Sequence, residues 1–415
     1  MTSTSRDRTR LSSSRSEGLF GGVYARGGAA AAVRDAAWLQ AMLDAEAALA
    51  RTCAQEQLIP AHAAATIAAA CETDRFDLEE LGRDAARHAS PVVPLVGALR
   101  EAVGEELAAY VHVGATSQDI LDTAAMLVTR RALQPILEDA AAAAGAAARL
   151  ADQHRQTPMS GRTLLQQALP VCFGLRAAGW LAGIDAAREG LVEVRHDQLA
   201  VQLGGPVGSG SPALAAHMAR ELGLAEPALP WHTNRVRIAS IAGALGTLSG
   251  TLSKVARDVT LLAQNEVGEV REGGGGGGGG EGGEGGEGGG GGASTAMAHK
   301  RNPVASVSVL ACTRRVPGLV ATILACMEQE HERAAGAWQA EWGTLSELLE
   351  LTGSATAWTR DLLEHLEVDP GRMAENLARL AQAGVEEALT PERHLGSASE
   401  LIDRALAHQG TSEPK

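Results

Sequence analysis

Apolar residues recur along this chain at helical spacing, and one stretch holds that spacing without a break. From residue 236 to 266, Ile238, Ile241, Leu245, Leu248, Leu252, Val255, Val259 and Leu262 alternate steps of three and four. This is an a/d seam more than three heptads long with no proline in it. It predicts a long helix in an extended bundle, its seam turned either to the chain's own core or to a second copy. Residues 29–58 carry a rougher stripe from Leu39, Met42, Leu43 and Leu49, and Pro60, Pro91 and Pro94 punctuate the helices that follow. Residues 118–153 predict a second long helix, kinked at Pro135. After Pro303 a helical pattern runs to about Glu332 with Pro317 as a kink point, and residues 328–342 read as an amphipathic charged helix.

This punctuation divides the chain. Residues 1–17, rich in Ser, Thr and Arg, predict a disordered tail. Residues 18–112 read as an N-terminal helical domain, 113–358 as a central long-helix domain and 359–415 as a short C-terminal helical region. Inside the central part, residues 273–292 comprise 17 Gly and three Glu, the composition of a flexible coil. Hydrophobic residues make up 45% of the 415 and aromatic ones only 3%, with alanine abundant. That favours closely packed helices, and the expected fold class is all-α. A net charge of −14, with few rings to stack on bases, makes nucleic acid a poor partner. Five cysteines show neither C-x-x-C nor Cys/His metal spacing, so reduced thiols, a cytoplasmic location and no metal are expected. No apolar run approaches the roughly eighteen residues of a membrane span, and the N-terminus lacks an apolar signal core. No membrane partner is expected.

Five segments stand out as candidates for chemistry or its support. Residues 293–303 pack Ser294, Thr295, Lys300, His299 and Asn302 together directly after the glycine run, and Lys300 is one of only three lysines in the chain. Such a segment is either a capped helix start with an Asn302-Pro303 turn, or a loop that turns a hydroxyl into a base beside positive charge. Residues 112–119, from His112 through Gly114, Thr116 and Ser117 to Asp119, form either a plain helix cap or a carboxylate-binding nest of free N–H groups and hydroxyls. Residues 157–170 add Arg162, Thr163 and Gln166, and residues 204–211 form a glycine-rich loop. Residues 231–235 read W-H-T-N-R; there His232 suits a structural role better than a catalytic one.

Together and in order, these segments resemble the conserved regions of the fumarase/aspartase superfamily. Residues 293–303 are similar to its signature S-S-x-M-P-x-K-x-N, with Thr295 for the second Ser and Ala298 for the Pro. The resemblance implies that Ser294 is the general base, that Lys300 and Asn302 hold a substrate carboxylate, and that Thr295 and Met297 line the same loop. It also implies that Thr116 and Ser117 bind a carboxylate while His112 lines the pocket. Residues 161–170 resemble G-R-T-H-x-Q-x-A-x-P, which carries over Arg162, Thr163 and Gln166 as substrate contacts; Leu164 stands at the family's His. An amine or hydroxide leaving group needs a proton there. A carboxylate, whose parent acid has a pKa near 4, departs unaided. Leu164 therefore suits a lactone-forming member or, on a rival view, a dead enzyme.

The W-H-T-N-R segment, residues 328–342 and the N-terminal stretch 19–50 resemble bacterial 3-carboxy-cis,cis-muconate cycloisomerases in particular. That resemblance implies a three-part, fumarase/aspartase-like fold with a long central bundle and a homotetramer with shared active sites. It implies a small tricarboxylate substrate and no cofactor, with Arg162, Lys300, Arg301 and Arg333 as candidate anion-holding cations. The chain skips much of the family's C-terminal domain, and its glycine insertion should slow or weaken closure of the signature loop. Two other readings stay open: an adenylosuccinate lyase-like C–N lyase and a catalytically impaired helical scaffold.

Overall fold

A computed structural model describes residues 18–273 and 301–409. After short helical turns at Gly21–Tyr24 and Ala29–Ala32, four helices follow: α1 (Asp35–Gln55), α2 (Ala61–Ala70), α3 (Leu78–His88) and α4 (Val92–Val103). The long helix α5 (Ser117–Gln153) leads into strands β1 (Pro158–Thr163) and β2 (Gln166–Cys172). Then come α6 (Phe173–Asp197), α7 (Pro212–Leu222), α8 (Val236–Leu262) and the short strand β3 (Val270–Glu272). The chain closes with α9 (Val304–Ala325), α10 (Ala337–Glu364), β4 (Leu366–Val368), α11 (Pro370–Gln382) and α12 (Ala398–Gln409). The fold is all-α, with two small antiparallel pairs, β1 with β2 and β3 with β4, at its margins.

Helices α5, α6, α8, α9 and α10 pack side by side as the central bundle. All eight seam residues of α8 are at most 1% exposed. The seam is therefore spent on the chain's own core and is not free for a second copy. The opposite side of α8 is built of small residues: Gly243, Thr247 and Gly250 are exposed, and a side chain added at Gly243 or Gly250 would meet nothing within 4 Å.

Helix α5 continues through Pro135, where a kink is expected, and two further expectations need correction. The proline ring packs where a Cβ on Gly28 would lie, 3.0 Å away, so the missing hydrogen bond is offset by tertiary contact. Helix α9 ends at Ala325, short of Glu332, and residues 328–336 are not helical. The Glu330 carboxylate takes the Ala335 N–H at 2.9 Å, and His331 and Gly336 adopt φ of 42° and 114°; a helix resumes only at Ala337. Finally, α9 is long and apolar enough by composition to cross a membrane, with a mean hydropathy of 1.4. Arg314 and Arg315 break the apolar run, but the Val, Leu and Ala residues around them keep the average high, which is why run length missed it. The helix packs on α8 and α10, but its outer side leaves Val307 and Leu324 each 52% exposed.

Candidate active site

The hub of the first cluster is Asp119, in the first turn of α5 and fully buried. Its Oδ2 accepts the N–H of Thr116 at 2.9 Å, the return half of a capping box. The same carboxylate accepts the N–H groups of Gly204 and Gly205, both at 2.9 Å, and lies 2.6 Å from His232 Nε2. One acid thus ties the helix start, the glycine-rich loop and the W-H-T-N-R segment together. The approach is close because Gly205 has φ of 66° and the space for a Cβ is taken by the Gly114 carbonyl at 3.0 Å. His232 is 4% exposed, placed to support the loop and not to meet a ligand.

Arg333 reaches this cluster from the loop before α10. Its Nη2 donates to the carbonyls of Gly205 at 2.7 Å and Pro206 at 3.2 Å, and its Nη1 to Gln118 Oε1 at 3.3 Å. Among the described residues it has no carboxylate partner within ion-pair distance. Burial pushes its pKa down, with Asp119 and Asp122 opposing. A half-buried guanidinium saturated only by neutral acceptors is a place for an anion. One turn below Asp119, Arg235 is 2% exposed and forks between Asp122 and Glu341, which locks α5, α8 and α10 together. Trp338 Nε1 donates to the same Asp122 at 3.0 Å.

His112 and Glu46 complete this end: His112 Nδ1 lies 2.6 Å from Glu46 Oε1. Sequence reasoning assigned roles to neither Asp119 nor Glu46. The T-x-x-D spacing of a capping box was a signal for Asp119. Glu46, one carboxylate in a charged helix, offered none.

The second cluster lies at the other end of the bundle. Helix α5 has 37 residues and so spans about 55 Å, separating His112, Thr116 and Ser117 from the hairpin that follows its C-terminus. Thr163 and Gln166 face each other across that hairpin and are exposed. Between them, Leu164 and Leu165 turn the chain with φ of 49° and 64°, and they are 96% and 73% exposed. Both positions favour Gly or Asn, and leucine there stores strain. Arg162 points to Glu269, which is fully buried: two bonds of 2.9 and 2.8 Å make a bidentate pair, and Asn376 binds the same acid. Its guanidinium shares no partner with Arg333.

Three residues beyond Glu269, Glu272 caps α9 through Ala305 and Ser306. Asn302, half-buried just ahead of α9, and the exposed Arg301 therefore belong to this end as well. Ser294, Thr295, Met297 and Lys300 lie outside the described residues, as do the glycines beyond Gly273. Among the described residues, one chain thus gathers its candidates into two groups at opposite ends of the bundle.

Comparison with known proteins gives these groups a context. A family described as Lyase matches residues 26–318. The chain is 44% identical to 3-carboxy-cis,cis-muconate cycloisomerase of Bradyrhizobium diazoefficiens, over 84% of this chain and 76% of that protein. It is 41% identical to nitrosuccinate lyase of Streptomyces davaonensis, over 95% of this chain and 85% of that protein. The crystal structure of 3-carboxy-cis,cis-muconate lactonizing enzyme from Pseudomonas putida superposes with a TM-score of 0.84 at 34% identity, covering 94% of this chain and 99% of that one.

Proposed function

The chain belongs to this lyase family, and on that premise we propose that it interconverts 3-carboxy-cis,cis-muconate and 4-carboxymuconolactone. The observation that carries the reading is Arg333. It is a half-buried cation beside the Thr116 cap, bonded to three carbonyls and an amide and to no acid among the described residues. A tricarboxylate supplies the missing anion.

In the lactonising direction one carboxylate of the substrate adds to a C=C bond, and a proton is delivered to the carbon α to another carboxylate. In reverse, Ser294 as alkoxide takes that α-proton. Charge then builds on the adjacent carboxylate as an enediolate-like state, which Thr116, Ser117, Lys300 and Asn302 stabilise. His112 and Arg333 hold the remaining carboxylates. No cofactor takes part in this scheme.

The site is read as shared between copies of the chain. Region 112–119 and the hairpin tip stand about 55 Å apart in one chain, the length of the 37-residue α5. No single chain can close both on one small substrate. Thr163 and Gln166 flank a strained, apolar tip that gains from being covered. The small-residue side of α8 and the uncovered apolar side of α9 suit close helix packing with further copies. We read the assembly as a homotetramer, with Arg162 holding the hairpin in place through Glu269. All five cysteines are free and buried, in keeping with a cytoplasmic setting.

A second reading has its own support, the similarity to nitrosuccinate lyase over 95% of the chain. Leu164 argues against release of an amine, which needs a proton. It does not argue against a leaving group that departs as the anion of an acid, whether carboxylate or nitrite. The two readings separate on kcat/KM for 3-carboxy-cis,cis-muconate against nitrosuccinate with one preparation. A ratio above unity supports the cycloisomerase, and a ratio well below unity replaces it with the C–N lyase.

A further inference from the structure

Glu46 is buried in the middle of α1, 1% exposed, and its Oε2 has no hydrogen-bond partner among the described residues. A carboxylate taken out of water persists as an anion only when paired. The group it meets is the His112 ring, through Nδ1 at 2.6 Å from Oε1. The backbone is bent to allow this. His112 has φ of 66°, uncommon for a residue with a side chain, and this conformation aims the ring back at α1 rather than along the chain into α5. The ring is 14% exposed. Its Nε2 makes no hydrogen bond to the described residues and is not among the buried unpartnered atoms. It is the open edge of the ring, four residues before the Thr116 cap.

We propose that Glu46 is a positioning residue for His112: it fixes Nδ1–H toward α1, holds the ring as an imidazolium, and so presents Nε2–H to a substrate carboxylate at the start of α5. The proposal deepens the function read above and rests on it for the identity of that carboxylate. The second oxygen of Glu46 explains the choice of an imidazolium over a neutral ring. A neutral donor would satisfy Oε1 and leave the buried charge unbalanced.

The charged groups that face the ring come from three helices: Glu46 on α1, Asp119 on α5 and Arg100 on α4. Burial alone lowers the imidazole's pKa. The charge and hydrogen bond of Glu46, with Asp119 added, outweigh burial and Arg100, and the result is a shift upward from 6.5.

Glu46→Gln keeps the shape and the acceptor for Nδ1–H and removes only the charge. In the full-length protein, labelled with 13C at histidine Cε1, the His112 resonance is assigned by its loss in His112→Gln and followed against pH without substrate. The pH profile of kcat/KM is measured on the same variants. The expected result is a His112 midpoint above the ordinary value in the wild type. In Glu46→Gln it falls by at least about one unit, a tenfold change in proton affinity. The alkaline limb of kcat/KM moves with it, mainly through KM, and Glu46→Asp restores part of the shift. An unchanged midpoint overturns the proposal. So does a shifted midpoint with an unshifted alkaline limb in an active enzyme, since Glu46 then merely fastens the ring.

The resonance titration needs no turnover. A protein inactive on carboxymuconate with a shifted midpoint contradicts the substrate reading and leaves the positioning role standing. Should Glu46→Gln fail to fold, His112→Gln, whose amide can still bond Glu46, carries the test. It must lose the alkaline limb, and keeping it overturns the proposal.

Discussion

The Glu272 carboxylate closes on Ser306 across the segment that joins β3 to α9. Its Oε1 accepts the Ser306 N–H at 2.9 Å and the Ser306 hydroxyl at 2.6 Å, and its Oε2 accepts the Ala305 N–H at 2.9 Å. One acid from β3 therefore caps α9, and residues 272 and 305, which flank the intervening segment, are held together. Glu272→Ala should cost about 1 kcal/mol, the usual effect of a lost N-cap. It should lower kcat/KM more than that loss of stability explains, because the loop's anchors part. A denaturation midpoint and a rate measured on the same preparation check this. A variant less stable but fully active would separate the cap from the chemistry.

Arg333 is bonded like a fork, and a lysine cannot reproduce that. Arg333→Lys should raise KM roughly 10-fold and Arg333→Ala more, about 100-fold, with kcat less affected; these are the scales of one and two charge-assisted bonds. Steady-state kinetics on both variants decide the matter. Unchanged KM in both would mean that Arg333 only ties down the Gly205 loop.

Arg235 forks between two acids, Asp122 and Glu341, both below 4% exposed. Removing the cation strands two buried charges, so Arg235→Ala should lose about 3–5 kcal/mol. Urea unfolding would show this as a lower midpoint with an unchanged slope.

The sign of the pH effect on stability follows from His112. Its folded pKa is raised above the ordinary 6.5, so the folded protein binds the proton more tightly than the unfolded chain. That contribution is fully present below pH 6.5 and is lost as pH rises through the folded value. The Tm of the wild type should therefore fall more steeply than that of Glu46→Gln as pH increases above neutrality. Calorimetry across that range checks it, and parallel curves would contradict it.

If the site is shared, two impaired variants damaged at opposite ends should rescue each other. His112→Gln and Asn302→Ala, unfolded together and refolded as a mixture, should exceed the summed activity of the two refolded separately. Absence of rescue in mixed oligomers would assign each site to a single chain.

Much of this was legible in the residues. The steps of three and four from Ile238 to Leu262 announce a long buried helix because burial on one side demands that spacing. They could not say whose core the seam enters, and the answer lies in neighbours far away in sequence. The hairpin was not legible. Its turn is Leu164-Leu165, where turn chemistry calls for glycine or asparagine, so local propensity pointed away from it. Residues 328–336 kept a helical charge pattern but are shaped by Glu330 bonding to Ala335, a competition that periodicity does not register. The resemblance pointed to His112, Thr116, Ser117 and Arg333, which the structure gathers at one end of the bundle. Asp119 and Glu46 escaped it because a buried acid looks in sequence like a solvated one.

The most direct test is the loss of ultraviolet absorbance of 3-carboxy-cis,cis-muconate with the wild-type protein and with Ser294→Ala. We expect turnover in the wild type and a fall of at least about 100-fold in the variant, the scale of a general base. No turnover in the wild type would contradict the assigned reaction, and equal rates in both proteins would contradict the role of Ser294.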